Sequence, residues 1–191
     1  GALEVQRLAS FRVIVGEEFF RKAYPDVEVK FMSQSEFLAR IKAVLDDAGI
    51  PFMVVGSLGS SVYGEARATY DIDLVIAPTP AQLQAFVRSL DKADYYVSEN
   101  AAEEALKTRS MFNVIDRKTG WKVDLMIRQE RPYSIEEFQR RGRREIIGIE
   151  VEVVSPEDAI LSKLEWAKAG RSARQYRDAF GIASVQWSDL D

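Results

Sequence analysis

FMVVGSLGSSVYGEARATYDIDLVI, residues 52–76, is the stretch that decides the fold. Its opening apolar run, FMVV, predicts a buried strand that ends at a turn formed by Gly56 and Ser57. Its closing run, IDLVI, predicts a second strand that carries Asp73 and directly follows Asp71, two residues earlier. Because side chains alternate along a strand, both carboxylates are expected on one face, about 7 Å apart along the backbone.

The mutual repulsion of these two carboxylates has to be compensated. Two carboxylates at that separation repel each other by a few kcal/mol at an effective dielectric constant of about 20. Arginine partners, an exposed sheet edge or a divalent cation held by both side chains would each relieve the repulsion. The pair by itself leaves these three alternatives open.

The composition narrows the chemistry that the pair could serve. The chain of 191 residues has no cysteine and no histidine. This excludes disulfides, thiol nucleophiles, Ser-His-Asp triads and most zinc and iron sites. The remaining ligands are oxygen atoms, and these favour Mg²⁺, Mn²⁺ or Ca²⁺.

Charge and hydropathy exclude further classes. The net charge of −4 argues against a protein that coats nucleic acid without specificity. No apolar run approaches the roughly 18 residues that a membrane span needs, so no membrane partner is expected. The sequence begins at Gly1-Ala2 and shows no signal peptide, and we expect a cytoplasmic location.

Hydrophobic periodicity predicts one domain built from strands and helices. Strands are expected at 27–31, 52–55, 72–76, 95–97, 111–115, 121–127 and 146–154 (bent near Gly148), and helices at 3–23, from Ser33 or Ser35 to Asp46, at 58–63, from Pro80, and at 101–107, 134–140, 155–169 and 172–180. This order predicts an α+β (mixed α/β) fold. Residues 1–32 form an N-terminal helix and extended connector, and residues 33–191 form a single domain whose residues 154–191 are a helical tail.

Two further features strengthen the metal interpretation. Gly56-Ser57 joins a strand to a helix, a junction where backbone N–H groups can hold a phosphate. Asp124 lies in a similar apolar strand, WKVDLM. If that strand pairs beside the Asp71–Asp73 strand, three carboxylates share one face. Asp124 is then the natural general-base candidate, although a lone strand aspartate is more often structural.

These residues resemble a known family. Gly56-Ser57, a gap of thirteen residues, Asp71-Ile72-Asp73 and a later strand aspartate are similar to the nucleotidyltransferase superfamily with the DNA-polymerase-beta-like fold. The segment YGEARAT before Asp71 and the tail segments SPED, KLEW and RQYRD resemble its bacterial minimal and abortive-infection-toxin-like branches. The resemblance covers roughly residues 35–181.

The resemblance implies a twisted mixed sheet flanked by helices. It also implies Mg²⁺- or Mn²⁺-dependent transfer of a nucleoside monophosphate from a nucleoside triphosphate to a hydroxyl, with release of pyrophosphate. Carried over residue by residue, the implied catalytic residues are Asp71, Asp73, Asp124 and Lys163, the metal ligands are the three aspartates, and the nucleotide-binding residues are Gly56, Ser57, Arg67 and Thr69. Arg67 either binds phosphate or neutralises the acids in the free protein. Lys163 either reaches a phosphate or the acceptor, or extends to solvent.

Three hypotheses about the function of the whole chain stay open. The first is an active nucleotidyltransferase, whose acceptor is tRNA, a protein side chain or a small molecule such as an antibiotic. It includes a toxin with an antitoxin partner. The second is a non-catalytic nucleotide-binding or protein-interaction module of the same fold. The third is an unrelated α/β protein with a coincidental motif, which a structure with Asp124 on a different face from Asp71 would support.

Overall fold

The structure is a computed structural model that describes Lys22, residues 32–64, Thr69, residues 71–170 and residues 172–190. The predicted N-terminal helix and connector lie outside the described residues, apart from Lys22, which is helical, and Met32. Arg67 also lies outside them. The division of the chain at residue 32 stays a prediction.

Among the described residues, seven strands form one mixed sheet. They are β1 (Phe52–Val55), β2 (Asp71–Ile76), β3 (Tyr95–Val97), β4 (Met111–Asp116), β5 (Lys122–Ile127), β6 (Gly142–Ile146) and β7 (Ile149–Val153). Their order across the sheet is β3-β4-β5-β2-β1-β7-β6. The β2–β5 and β1–β7 pairs are parallel, and the other neighbours are antiparallel.

Helices flank this sheet and follow it at the C-terminal end. They are α1 (Gln34–Asp47), α2 (Gly56–Ser60), α3 (Pro80–Ser89), α4 (Glu99–Thr108), α5 (Pro132–Gln139), α6 (Pro156–Gly170) and α7 (Ala173–Gln186). The predicted α+β fold, a mixed sheet with flanking helices and a helical C-terminal segment, is confirmed. No helix in the described part of the chain is long and apolar enough to cross a membrane.

The core lies on one face of the two central strands. Ile72, Leu74 and Ile76 of β2 are buried, and the alternate residues of β5 (Val123, Leu125 and Ile127) are buried with them. Helix α1 begins with a capping box between Ser33 and Glu36 and contributes its apolar face to the same core. Burial of this face leaves the opposite face of β2 and β5 to their polar side chains.

Helix α2 packs unusually close to the sheet. A Cβ on Gly59 would lie 2.8 Å from the carbonyl oxygen of Val54 and 3.7 Å from a methyl group of Val153. Only glycine allows the helix to approach the backbone of β1 this closely. The approach holds the β1–α2 turn beside the start of β2.

The prediction of a single bent strand over residues 146–154 is wrong. The chain forms an antiparallel hairpin, in which β6 and β7 are joined by Ile147 and Gly148. Both turn residues have positive φ, 47° and 78°, the left-handed conformation that two-residue hairpin turns use. Apolar residues on both sides of the turn hid it, because Ile147 extends the apolar pattern although its side chain is exposed.

Two helix boundaries also differ from the prediction. Helix α5 begins at Pro132 rather than at Ser134, because proline is favoured in the first turn, where its missing N–H is not needed. Helix α7 runs beyond Phe180 to Gln186. The added turn is held in place because Gln186 donates a hydrogen bond to the Tyr63 carbonyl oxygen at 3.1 Å.

An ion pair between the half-exposed Arg140 and the buried Asp158 joins the end of α5 to the start of α6. The Arg140 guanidinium donates to both carboxylate oxygens of Asp158, at 2.9 and 2.7 Å, and Tyr133 and Ser155 donate to the same carboxylate. Burial opposes ionisation of Asp158, but the hydrogen bonds from Arg140 and Ser155 outweigh it and hold the pKa of Asp158 below its usual value. The SPED sequence therefore caps α6 and also anchors it to α5.

We expect Arg140→Ala to lower the free energy of unfolding by roughly 2–3 kcal/mol, because it leaves a buried carboxylate without its cation. Arg143→Ala is the control, since Arg143 is exposed and pairs only with carboxylates that are themselves partly exposed. Urea unfolding at pH 7 measures both variants. Equal effects of the two substitutions would contradict the structural role of the Arg140–Asp158 pair.

Candidate active site

Strand β5 lies beside β2, which is the pairing that the sequence left conditional. The strands are parallel, with Asp71 opposite Lys122 and Asp73 opposite Asp124. Side chains of directly opposed residues point to the same face of a sheet. The three predicted carboxylates therefore share one face, and Asp73 and Asp124 form a like-charged cross-strand pair, which is unfavourable when both are ionised.

Lys122 lies among these carboxylates and was not identified from the sequence. Its Nζ is 2.8 Å from Asp124 Oδ2 and 3.6 Å from Asp71 Oδ1. Hydrogen bonding to Asp124 and the charges of Asp124 and Asp71 raise the pKa of Lys122, so it is cationic at neutral pH. The available signal was its position two residues before Asp124, which places both side chains on one face of a strand.

The electrostatic cost of the arrangement falls on Asp73. Burial, the charge of Asp124 and the charge of Asp71 raise the pKa of Asp73 from 3.8 to about 6, although Lys122 and Lys163 act in the opposite direction. A positive charge placed beside Asp73 would favour its ionised form.

Gly56 brings the β1–α2 turn against Asp73. Its φ is +63°, and a Cβ on it would lie 2.0 Å from Asp73 Oδ2. Both the conformation and the contact require glycine. Gly56 and Ser57 form the first residues of α2, so the predicted phosphate-binding turn lies directly beside the predicted metal-binding carboxylate.

Thr69 supports the entry into β2. Its hydroxyl donates to the Asp71 carbonyl oxygen at 3.2 Å, and its own carbonyl oxygen accepts a hydrogen bond from the Gln34 side chain at 2.9 Å. These contacts place Thr69 at the same end of β2 as the carboxylates. Its predicted contact with nucleotide stays a prediction, and Arg67 lies outside the described residues.

Lys163 is buried on α6 and does not extend to solvent. Its Nζ donates to Asp178 Oδ2 of α7 at 3.1 Å. Its charge also acts to lower the pKa of Asp73, so Lys163 and the acidic group influence each other electrostatically.

The donor set fits a hard divalent cation. All three candidate ligands are carboxylates, and Asp124 Oδ1 is buried without a hydrogen-bond partner. The three side chains do not converge on one point as metal ligands would. Within residues 32–64, 71–170 and 172–190, no three acidic, histidine or cysteine side chains do so. The Lys122 ammonium lies against two of the acids, so they could hold a cation only after that ammonium moves.

Two depressions of the surface lie away from these acids. One, of about 460 Å³, lies against α5 and α6 and is lined by Arg131, Tyr133, Leu161, Leu164, Glu165 and Lys168. The other, of about 390 Å³, lies between α3 and α4. Neither is lined by a candidate site residue, so the chemistry of the acidic face rather than cavity size identifies the site.

Comparison with known families agrees with the geometry. A family model described as "Nucleotidyl transferase of unknown function (DUF2204)" matches residues 34–175, which is well over half of the chain. No curated protein shows a significant sequence match to the chain.

Several solved structures share the fold. A lincomycin-bound lincosamide antibiotic adenylyltransferase, LnuA, has a TM-score of 0.54 and 12% identity, over 81% of this chain and 98% of its own. An antigenic nucleotidyltransferase-like protein from Paracoccidioides brasiliensis has a TM-score of 0.54 and 17% identity, over 83% and 79%. ANT(2'')-Ia in complex with adenylyl-2''-tobramycin has a TM-score of 0.51 and 17% identity, over 81% and 93%. At these identities the likeness shows the fold alone.

We expect Asp73→Asn to stabilise the metal-free protein at pH 8. Folding raises the pKa of this carboxyl from 3.8 to about 6. Below pH 3.8 the raised pKa does not change the free energy of unfolding. That free energy falls as the pH rises from 3.8 to 6, and above pH 6 the full destabilisation is present. The full cost is at most about 3 kcal/mol. Asparagine keeps the shape and removes this cost.

Urea unfolding in EDTA between pH 4 and pH 8 measures the effect. Glu103→Gln, which alters an exposed carboxylate, is the control and should leave the pH dependence unchanged. An Asp73→Asn protein that is no more stable than the wild type at pH 8 would show that the three acids are not electrostatically crowded.

Proposed function

The chain belongs to this family of nucleotidyl transferases, and we propose that it transfers a nucleoside monophosphate from a nucleoside triphosphate to a hydroxyl group, releasing pyrophosphate. We further propose that the reaction uses Mg²⁺ or Mn²⁺. One observation carries the proposal: the Gly56 backbone lies against Asp73, and Asp73 lies opposite Asp124. A turn suited to phosphate and a set of acids suited to a cation thus meet at one place.

Each residue has a proposed part in the reaction. Asp71, Asp73 and Asp124 hold the cation, which when bound polarises the phosphoryl group and offsets the charge of the leaving pyrophosphate. Backbone N–H groups of the turn at Gly56 and Ser57 contact the triphosphate. Thr69 and Arg67 remain proposed nucleotide contacts.

Proton transfer from the acceptor hydroxyl falls to a carboxylate, because the chain has no histidine. We assign it to Asp124, whose Oδ1 atom is buried without a hydrogen-bond partner. Lys163 contributes a further positive charge, and it contacts a phosphate or the acceptor. Asp178 acts as a positioning residue, because its carboxylate accepts a hydrogen bond from Lys163 Nζ.

The acceptor is proposed by class. LnuA is by name a lincosamide antibiotic adenylyltransferase, and ANT(2'')-Ia was solved in complex with adenylyl-2''-tobramycin. Both similarities support a small-molecule hydroxyl as the first class of acceptor to test. RNA and protein hydroxyls are the other classes. The arginines at 140–144 give little support to RNA binding, because Arg140 is paired with Asp158 and Arg143 lies beside Glu150 and Glu152. A toxin role with an antitoxin partner rests only on the sequence resemblance.

A non-catalytic nucleotide-binding module is the second candidate. The observation that favours it is the ion pair between Lys122 and Asp124, which occupies carboxylate oxygens that a metal would need. The raised pKa of Asp73 argues the other way, since a module that only binds nucleotide gains nothing from crowded acids.

Incubation with labelled nucleoside triphosphates, Mg²⁺ or Mn²⁺, and separate pools of aminoglycoside and lincosamide compounds, total RNA and cell protein tests transfer. We expect label in one pool together with pyrophosphate release. Asp71→Asn combined with Asp73→Asn should lower the rate by at least about a hundredfold, because the charge stabilisation of the transferred group is lost. Labelling that survives the double substitution would exclude the proposed site.

Lys163→Met should lower kcat/KM about tenfold to a hundredfold, because a buried positive charge that acts on Asp73 is replaced by an apolar side chain of similar length. Lys168→Met, on the exposed side of the same helix, should leave kcat/KM unchanged. Thermal melting must show that both variants fold. Equal kcat/KM in the two variants would restrict Lys163 to a structural role.

A further inference from the structure

Two successive residue pairs across β2 and β5 differ in how their charges combine. The first cross-strand pair, Asp71 and Lys122, has opposite charges, and the next pair, Asp73 and Asp124, has like charges. Lys122 does not stay within its own pair, because its Nζ is closer to Asp124 (2.8 Å) than to Asp71 (3.6 Å). One ammonium thus serves carboxylates from both pairs.

The position of this ammonium is one where a cation contacts two of the acids at once. It touches Asp71 and Asp124, two of the three acids that we assign to the metal. The remaining oxygen of Asp124 is buried and unpartnered, and its side chain is only 12% exposed. The ammonium therefore leaves part of the buried acidic group unsatisfied.

Lys122 is also able to leave this position. Its side chain is 31% exposed, and the lysine stem has four flexible carbons. Asp71 is half-exposed, so the contact between them is weakened by solvent. The Lys163–Asp178 pair contrasts with this, because both of its side chains are much less exposed and it joins two helices.

We propose that Lys122 is an exchangeable counter-cation, which occupies the space between Asp71 and Asp124 in the metal-free protein and must be displaced when a divalent cation binds there. This inference rests on the proposed function for the identity of the acids, but it concerns how the site is loaded. Competition from the ammonium weakens metal binding, and it keeps the acids from repelling one another while no metal is present.

Mn²⁺ binding measured by electron paramagnetic resonance, without nucleotide, tests the competition. We expect Lys122→Gln to bind Mn²⁺ about tenfold more tightly than the wild type, within the usual range of coupling between two sites. Lys122→Arg keeps the charge and should bind no more tightly than the wild type. Lys118→Gln removes a lysine of the same hairpin that pairs with Asp94 and should bind like the wild type. An unchanged or weaker affinity in Lys122→Gln overturns the proposal.

A second measurement uses the wild-type chain, so it does not depend on the folding of a variant. The rate of amine modification at Lys122, read by peptide mass, should rise several-fold when Mn²⁺ is added, while the rate at Lys118 stays constant. An unchanged rate at Lys122 under conditions where Mn²⁺ binds overturns the displacement.

The two proposals fail in different ways. Nucleotide transfer that proceeds normally, together with Mn²⁺ affinity that does not respond to Lys122→Gln, removes the role of Lys122 and keeps the function. Tighter Mn²⁺ binding by Lys122→Gln without any transfer to an acceptor removes the function and keeps the counter-cation. The absence of Mn²⁺ binding by every variant overturns the counter-cation, and the function then stands or falls with the transfer experiment alone.

Discussion

The site depends on one unfavourable contact, the pairing of Asp73 and Asp124 across two parallel strands. Parallel register forces both carboxylates to the same face, and burial prevents water from separating their charges. The surrounding features respond to that contact. Gly56 leaves room for the Asp73 carboxylate, Lys122 neutralises Asp124, and the charge of Lys163 moderates the pKa of Asp73. A divalent cation bound to the acids would neutralise their charges more strongly than these features do.

Helices α6 and α7 of the C-terminal segment contribute Lys163 and Asp178, and the hydrogen bonds that fix α6 lie at its first turn, away from Lys163. Helix α6 carries Lys163, and its first turn is fixed by the hydrogen bonds of Asp158 to Arg140, Tyr133 and Ser155. Helix α7 then supplies Asp178 to the same lysine. A segment whose sequence predicts a helix cap and an amphipathic helix thus also fixes a buried positive charge that acts on Asp73.

Features that depend on local periodicity were predictable from the sequence. Alternation in IDLVI and KVDLMI indicated the strands, and the spacing of Asp71 and Asp73 indicated their shared face. What remained hidden depends on how elements meet. The contact of Lys122 with Asp71 requires the β2–β5 register, and the Lys163–Asp178 pair requires the packing of α6 on α7. The β6–β7 turn was missed because its Ile147 side chain follows the apolar pattern but not the burial.

The order of strands has a consequence for local stability. β2 is the middle strand of seven and is hydrogen-bonded to β1 on one side and to β5 on the other, whereas β3 and β6 are the edges. Fraying of a sheet begins at its edges, and strands with two neighbours open only when most of the domain opens. The part of β2 from Asp73 to Ile76, which has partners in both β1 and β5, should therefore be among the last parts of the sheet to open. Asp73 thus keeps its place opposite Asp124 through partial openings that begin at the edge strands.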